Sequence, residues 1–454
     1  MRPADDGDSV RRAQPTPAHS TPAGGYDKTM AVRLSDRDKR MLDGDIGPAA
    51  RLAMSVMVRM AEVYGAEELM DITQAHIDAV GILSTSGLEL AETLAATGGR
   101  VVVPTTLNMV PIDIAHWREW DVPVEHADMA LRQVRAYAQM GCIPTCTCAP
   151  YQGYLTPRFG QQIAWAESNA IVYANSVLGA RTNRYGDFVD ICAAITGRVP
   201  KTGLHITENR RGQILLRLVD LSQELLHDGE FYAVLGHFLG KAAGERIAVI
   251  DGLPTDTGLD QLKALGAASA SSGAVGLFHA VGVTPEAPTL RDAFQGGQPE
   301  HVIEVRRSDL LAARSELSTA AEGDSLGAII MGCPHFSFGE FQHLAHAIRS
   351  QHAHAIAPEV LFLVMTNQAA YALLERSDDL ELIRSFGVRI LLDACVFHFP
   401  IVPPMVRVVM TTSGKHAYYA PGELGVQVAF GSLHDCVRSA VAGRVLRGVG
   451  LWTE

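Results

Sequence analysis

Seven short apolar runs in the second half of the chain, several separated by helical stretches, constrain the fold more than any other feature. They cover residues 246–251, 274–279, 301–305, 328–331, 360–365, 388–392 and 406–410. Residues 339–348 and 369–376 read as helices between them, and 432–445 as a helix after the last. Strands that alternate with helices predict largely parallel sheets wrapped by helices, an α/β fold. The first half is less regular. Ser35 is placed to cap a short helix, with Asp38 three residues on. Gly47-Pro48 opens a second helix, whose apolar positions Leu52, Val56, Met57, Met60 and Ala61 fall at helical spacing before Gly65 ends it. A strand over 69–73, a helix over 88–96, a strand over 100–104 and a helix over 127–140 follow. Candidate lobe boundaries lie near 253, at Gly252-Leu253-Pro254, and near 298, within 295–300.

The apolar runs end in chemistry. Cys333 follows Ile329-Ile330-Met331, Cys395 follows Ile390-Leu391-Leu392, and Ser413 follows Val408-Val409-Met410. Thr105 and Thr106 follow Val101-Val102-Val103 and Pro104 in the same way. Open parallel sheets bind ligands outside the carboxyl ends of their strands, so these side chains are placed for a site. The plain alternative is that each is the first residue of a loop.

Composition excludes several roles. A net charge of -12 opposes broad contact with nucleic acid or anionic membranes. No uninterrupted apolar run reaches the roughly 18 residues of a spanning helix. Residues 1–29 hold four prolines, four charges of each sign and Gly24-Gly25, and are expected to be a disordered tail. They contain no apolar signal core, so a cytoplasmic location is expected. Seven cysteines spread through 454 residues are not a disulfide framework.

The densest chemistry lies between residues 143 and 184. Ile143-Pro144-Thr145-Cys146-Thr147-Cys148-Ala149-Pro150-Tyr151 is followed by Glu167-Ser168-Asn169 and then by Asn175 to Arg184. Thiols, amides, a carboxylate and arginines crowd into a stretch with too few charges for a solvated face. Cys-Thr-Cys points to metal or redox chemistry. In an extended segment Cys146 and Cys148 share a face, so direction alone does not choose between them. Ala149-Pro150, which fixes the chain just behind it, favours Cys148. Cys142 falls at a helix end, and Cys192 and Cys436 sit in apolar helical settings where a thiol is a small buried hydrophobe. Ser168 and Asn175 are seven apart on a helix and share a face. Arg181 is the best cation for two-pronged pairing with a carboxylate or phosphate, and the alternative is a structural ion pair with Glu167.

From residue 34 to the end the chain resembles the aconitase X family of hydro-lyases. The resemblance rests on His76-Ile77-Asp78, Pro104-Thr105-Thr106-Leu107-Asn108, the 143–184 stretch, Gly332-Cys333-Pro334-His335, Asp393-Ala394-Cys395, Ser413-Gly414-Lys415 and Tyr418-Tyr419-Ala420-Pro421-Gly422. Together these are specific, although none is so alone. The resemblance implies an aconitase-like, multi-lobed catalytic region over 30–454 without the small swivelling domain. That domain, with a catalytic serine, is expected on a separate small subunit. It further implies an iron–sulfur cluster of undetermined nuclearity held by Cys148, Cys333 and Cys395. These three are 185 and 62 residues apart, a spacing that by itself signals little. In the implied reaction His76 protonates or orients a leaving hydroxyl. Thr105, Thr106 and Asn108 offer donors to a substrate carboxylate. Glu167, Ser168, Asn169, Asn175 and Arg181 line the substrate site, and Lys415 and Ser413 act at a strand end, Ser413 alternatively as a cap. Two substrates are implied, cis-3-hydroxy-L-proline and 5-phosphomevalonate. The wording Cys148-Ala149-Pro150-Tyr151-Gln152 favours the first, and the two-subunit layout favours the second. The expectation adopted is cis-3-hydroxy-L-proline. A structural zinc in a non-catalytic subunit is the reading of another class, but zinc sites want four closely spaced ligands.

Overall fold

The computed structural model describes residues 32–81, 84–351, 355–399, 401–448 and 450–452. The tail expected over 1–29 lies outside the described residues. The chain enters through the helix Asp36–Asp43, where Ser35 and Asp38 form the reciprocal cap expected from their spacing, at 3.0 and 3.2 Å. Pro48 then opens the helix Pro48–Val63. Its buried face is Ala49, Ala50, Ala53, Met54, Met57 and Ala61; of the positions read from the sequence Met57 and Ala61 lie on it, Val56 and Met60 are partly buried and Leu52 is exposed. Small residues let this helix approach the helix Val189–Thr196 closely, and the two pack together.

Among the described residues four sheets form the frame. A two-stranded antiparallel pair joins Leu69–Asp71 to Arg198–Pro200. A three-stranded parallel sheet has the spatial order Thr105–Leu107, Ala75–Ile77, Ala164–Trp165. A four-stranded parallel sheet runs Phe278–Ala280, Ala248–Asp251, Ile214–Leu218, His301–Val305. A five-stranded parallel sheet runs Val388–Leu392, Leu361–Thr366, Ala328–Phe336, Val408–Thr411, Gln427–Phe430. The positions near 253 and 298 fall in loops between strands of the four-stranded sheet. The strand expected over 100–104 does not form. Val102 is half exposed there, and the strand begins instead at Thr105, where pairing to Ala75–Ile77 is available.

The five-stranded sheet is covered on both faces. Along its central strand Ala328, Ile330 and Cys333 join one hydrophobic cluster, and Ile329, Met331 and Phe336 join the other. The two faces alternate from Ala328 to Met331 and every residue of the strand is buried, as a central parallel strand requires, but beyond Gly332 the alternation reverses, with Cys333 on the first cluster and Phe336 on the second. The strand is interrupted where it meets Leu361–Thr366. Gly332 sits at φ 87°, and a Cβ there would lie 2.0 Å from the Met365 carbonyl oxygen. Only glycine lets the backbones pass this closely. The next peptide bond, Cys333–Pro334, is cis.

Candidate functional site

The carboxyl ends of the three-stranded and five-stranded sheets face one another across a cavity of about 240 Å³. Asp78 follows the strand Ala75–Ile77, and Asn108 and Met109 follow Thr105–Leu107. Cys333, Pro334 and His335 come from the end of Ala328–Phe336, and Cys395, Phe397 and His398 from the loop after Val388–Leu392. Glu167 and Ser168 open the helix Ser168–Ser176. Lys415, Tyr419 and Glu423 line the wall from one face of the helix Gly414–Glu423, at intervals of four residues. The loop before Ala164–Trp165 adds Cys148.

Cys148, Cys333 and Cys395 therefore share one cavity, although they arise from three separate segments. Each thiol is buried or nearly so, and burial pushes all three above the ordinary cysteine range, Cys333 and Cys395 to about 12. Their charges act on one another, and the Lys415 ammonium acts on all three in the opposite sense. Cys146 is excluded. Its φ of 47° breaks the extended alternation that was to put both thiols on one face, and its side chain packs in the hydrophobic core. Among the described residues no three His, Cys, Asp or Glu side chains gather closely enough to hold one metal ion.

Lys415 and Glu167 form a buried ion pair of 2.6 Å. Glu167 also caps its helix by accepting from the Ala170 N–H at 2.9 Å, and it accepts from the Asn169 amide. Burial works against the charge of Lys415, but Glu167 and the thiols of Cys333 and Cys148 outweigh it, so its ammonium is held above the usual lysine range. Asn108 donates to the Asp78 carboxyl. Burial, then the nearby Glu167, Asp187 and Asp190 carboxylates, raise Asp78 well above the usual carboxylate range.

Seven of the side chains singled out from the sequence thus line the cavity: Cys148, Cys333, Cys395, Asn108, Glu167, Ser168 and Lys415. The others lie outside it. His76 is fully buried between Thr106, 2.9 Å from its Nδ1, and the Trp165 ring, and burial lowers its pKa to about 3. Thr105 donates to the Val103 carbonyl at 2.8 Å. Asn169 ties the Cys148 loop in place, donating 3.1 Å to the Cys148 carbonyl and accepting from the Tyr151 hydroxyl at 2.8 Å. Asn175 joins Thr182, Gly276 and Arg210. Arg181 donates to Thr207 at 2.7 Å and pairs with no carboxylate among the described residues, and Glu167 pairs with Lys415 instead. Ser413 caps the helix Gly414–Glu423 and donates to the Cys333 carbonyl, which places it behind the thiol. Sequence reasoning missed Asp78, His335, His398, Tyr419 and Glu423. Asp78 was findable by the strand-end rule applied to Ala75–Ile77. Tyr419 and Glu423 were findable from their four-residue intervals after Lys415.

The class defined by this geometry is a multi-sheet α/β protein whose ligand site lies between the carboxyl ends of two parallel sheets and gathers three cysteines. Comparison with known proteins gives the family. Residues 31–208, 212–315 and 326–442 match the first, second and third domains of aconitase X. The chain is 43% identical over 454 residues to a cis-3-hydroxy-L-proline dehydratase of Pseudomonas aeruginosa, covering 99% of this chain and 77% of that one. It is 37% identical over 414 residues to the phosphomevalonate dehydratase large subunit of Methanothermobacter thermautotrophicus, covering 90% and 98%. The crystal structure of Thermococcus kodakaraensis aconitase X in its holo-form superposes with a TM-score of 0.81 at 30% identity, covering 90% of this chain and all of that one. The chain belongs to the aconitase X family. Both relatives are dehydratases, the reaction class expected from the sequence. Among the described residues no helix is long and apolar enough to cross a membrane.

Proposed function

We propose that this chain is the large, cluster-bearing component of an iron–sulfur hydro-lyase that dehydrates cis-3-hydroxy-L-proline. The observation that carries the substrate is the charge of the cavity wall. Glu167 and Glu423 supply its negative charge while burial keeps Asp78 protonated, the lone Lys or Arg among its lining residues is Lys415, and Glu167 already engages that ammonium. A phosphorylated hydroxy acid bears several negative charges and calls for an arginine or lysine clamp. Hydroxyproline carries one carboxylate and one ring ammonium, which suits a wall where acids outnumber bases. The resemblance to the Pseudomonas dehydratase supports the same reading.

The donor set fits an iron–sulfur cluster. Three soft thiols face one cavity, too dispersed for a single ion, with a lysine ammonium beside them to favour their ionised form. Cys148, Cys333 and Cys395 would hold the group, which would supply Lewis acidity toward the substrate hydroxyl. The chain's own residues do the rest. Lys415 donates to Glu167 and Ser168, at 2.6 and 3.3 Å, leaving a third N–H for the substrate carboxylate. Asp78, held protonated by burial, offers a proton or a hydrogen bond to the departing hydroxyl, and Asn108 fixes its orientation. Glu167 and Glu423 provide negative charge for the ring ammonium. The base for the Cα proton is assigned to the serine of a separate small subunit, following the superfamily resemblance.

The test is direct. The chain is purified without oxygen and incubated with each substrate, with and without the small subunit. Disappearance of cis-3-hydroxy-L-proline with formation of a cyclic imine, dependent on the small subunit, is the expected result. Turnover of 5-phosphomevalonate alone would overturn the assignment.

A further inference from the structure

Three thiols from three segments require something that fixes their relative positions. One residue touches all three segments. His335 follows Cys333 by two residues, and its main-chain N–H donates to the Cys148 Sγ at 3.3 Å. Its ring Nδ1 lies 3.0 Å from the Thr147 hydroxyl, next to Cys148. Its ring Nε2 lies 3.0 Å from the Ala394 carbonyl oxygen, next to Cys395. The residue is 1% exposed.

The partners settle the tautomer. A carbonyl oxygen only accepts, so Nε2 carries the proton and donates to Ala394. Nδ1 is then the acceptor and takes the Thr147 hydroxyl proton. The Thr147 oxygen is left free to accept, and it receives the Ala149 N–H at 3.0 Å. Every donor in this chain meets an acceptor, running from Ala149 through Thr147 and the imidazole to Ala394. A fully satisfied buried network has one low-energy arrangement.

We propose that His335 is the positioning residue that sets the placement of Cys148 and Cys395 relative to Cys333, so that the three thiols form a preorganised cradle before any metal arrives. This rests on the reading that these thiols hold the cluster. Hydrogen-bonding partners of this kind, one layer behind the ligands, typically change metal affinity or activity about 10–100-fold when removed.

The experiment compares the wild-type chain with His335→Ala, His335→Gln and Thr147→Val, all prepared without oxygen. Iron and acid-labile sulfide per chain, the visible spectrum, and the rate of iron loss to a chelator are measured. The metal-free forms are alkylated with iodoacetamide, and labelling at each cysteine is mapped by mass spectrometry. His335→Ala is expected to lose iron at least about tenfold faster, and alkylation of Cys148 and Cys395 is expected to rise. Cys192 and Cys436, buried elsewhere, serve as internal controls for folding. His335→Gln, whose amide replaces the donor to Ala394, should recover part of the effect. Thr147→Val, which removes one end of the network with almost no change of volume, should show a smaller loss of the same kind. Wild-type iron retention together with unchanged alkylation at Cys148 and Cys395 in His335→Ala and Thr147→Val would overturn the proposal. Absence of iron and sulfide from the wild-type chain would instead overturn the cluster reading. The alkylation pattern of the metal-free chains would still decide whether His335 orders the thiols.

Discussion

Replacing Lys415 with methionine keeps the unbranched stem, one atom shorter, and removes its ammonium. Glu167 then stays buried without a counter-charge. At the observed separation of 2.6 Å the direct attraction is about 6 kcal/mol at an effective dielectric constant of about 20. Desolvation of both groups offsets part of it. Breaking a buried pair by deleting one partner costs about 3–5 kcal/mol. Glu167 keeps its bonds from the Ala170 N–H, the Asn169 amide and the Ser168 hydroxyl, so the lower end of that range applies, about 3 kcal/mol. Glu167→Gln strands the lysine in the same way. The double variant removes both charges, and its loss should fall short of the summed single losses by about 2 kcal/mol. Urea unfolding of the metal-free chains, followed by tryptophan fluorescence, measures this. Trp165 is buried two residues before Glu167 and reports on the site directly. With a slope of about 3 kcal/mol per molar urea, each single variant should move the midpoint down by about 1 M. Single variants within about 0.5 kcal/mol of wild type, or losses that simply add, would refute the account of this pair as a buried, interdependent unit.

Serine at Cys148, Cys333 or Cys395 should abolish iron and sulfide binding, whereas serine at Cys146 should leave both intact; metal analysis of the four variants checks this. Asp78→Asn tests the raised carboxyl. A folded-state pKa above the unfolded value means that the stability contribution is complete below about pH 4 and is lost as pH rises towards the folded value. The variant should therefore match wild type in acid and become progressively more stable than it with rising pH, and a gap independent of pH in urea midpoints would contradict the assignment. Gly332→Ala must push the Met365 carbonyl aside in a left-handed backbone, and a loss of about 3 kcal/mol with impaired iron binding is expected from thermal unfolding and metal content.

Much of the parallel architecture was legible because fully buried strands write themselves as apolar runs. The runs at 328–331 and 406–410 lead into strands that are buried throughout, whereas the run at 301–305 matches its strand end to end although that strand is a largely exposed sheet edge. The inner strand Ile214–Leu218 was missed because Arg217 interrupts its short apolar run. The site was legible where chemistry sat at a strand end, as with Cys333 and Cys395. It was illegible where a polar residue meets another that is distant in sequence. Nothing in the sequence distinguishes Arg181, which serves Thr207, from Lys415, which serves Glu167 across 248 positions. His76 misled for a related reason. Its strand delivers Asp78 to the cavity, while the histidine ring is taken up by Thr106 and Trp165.

The cavity walls also set a timetable. Asp78 and Asn108 emerge early from the ribosome, Cys148 next, and Cys395, Lys415 and Glu423 only as synthesis nears residue 423. At about 5–20 residues per second, Cys148 waits on the order of ten seconds or more for its last thiol companion. No nascent fragment shorter than this can assemble the cradle. A metal that needs all three thiols would therefore have to reach the polypeptide after Cys395 is made, and the waiting thiols would have to stay reduced until then.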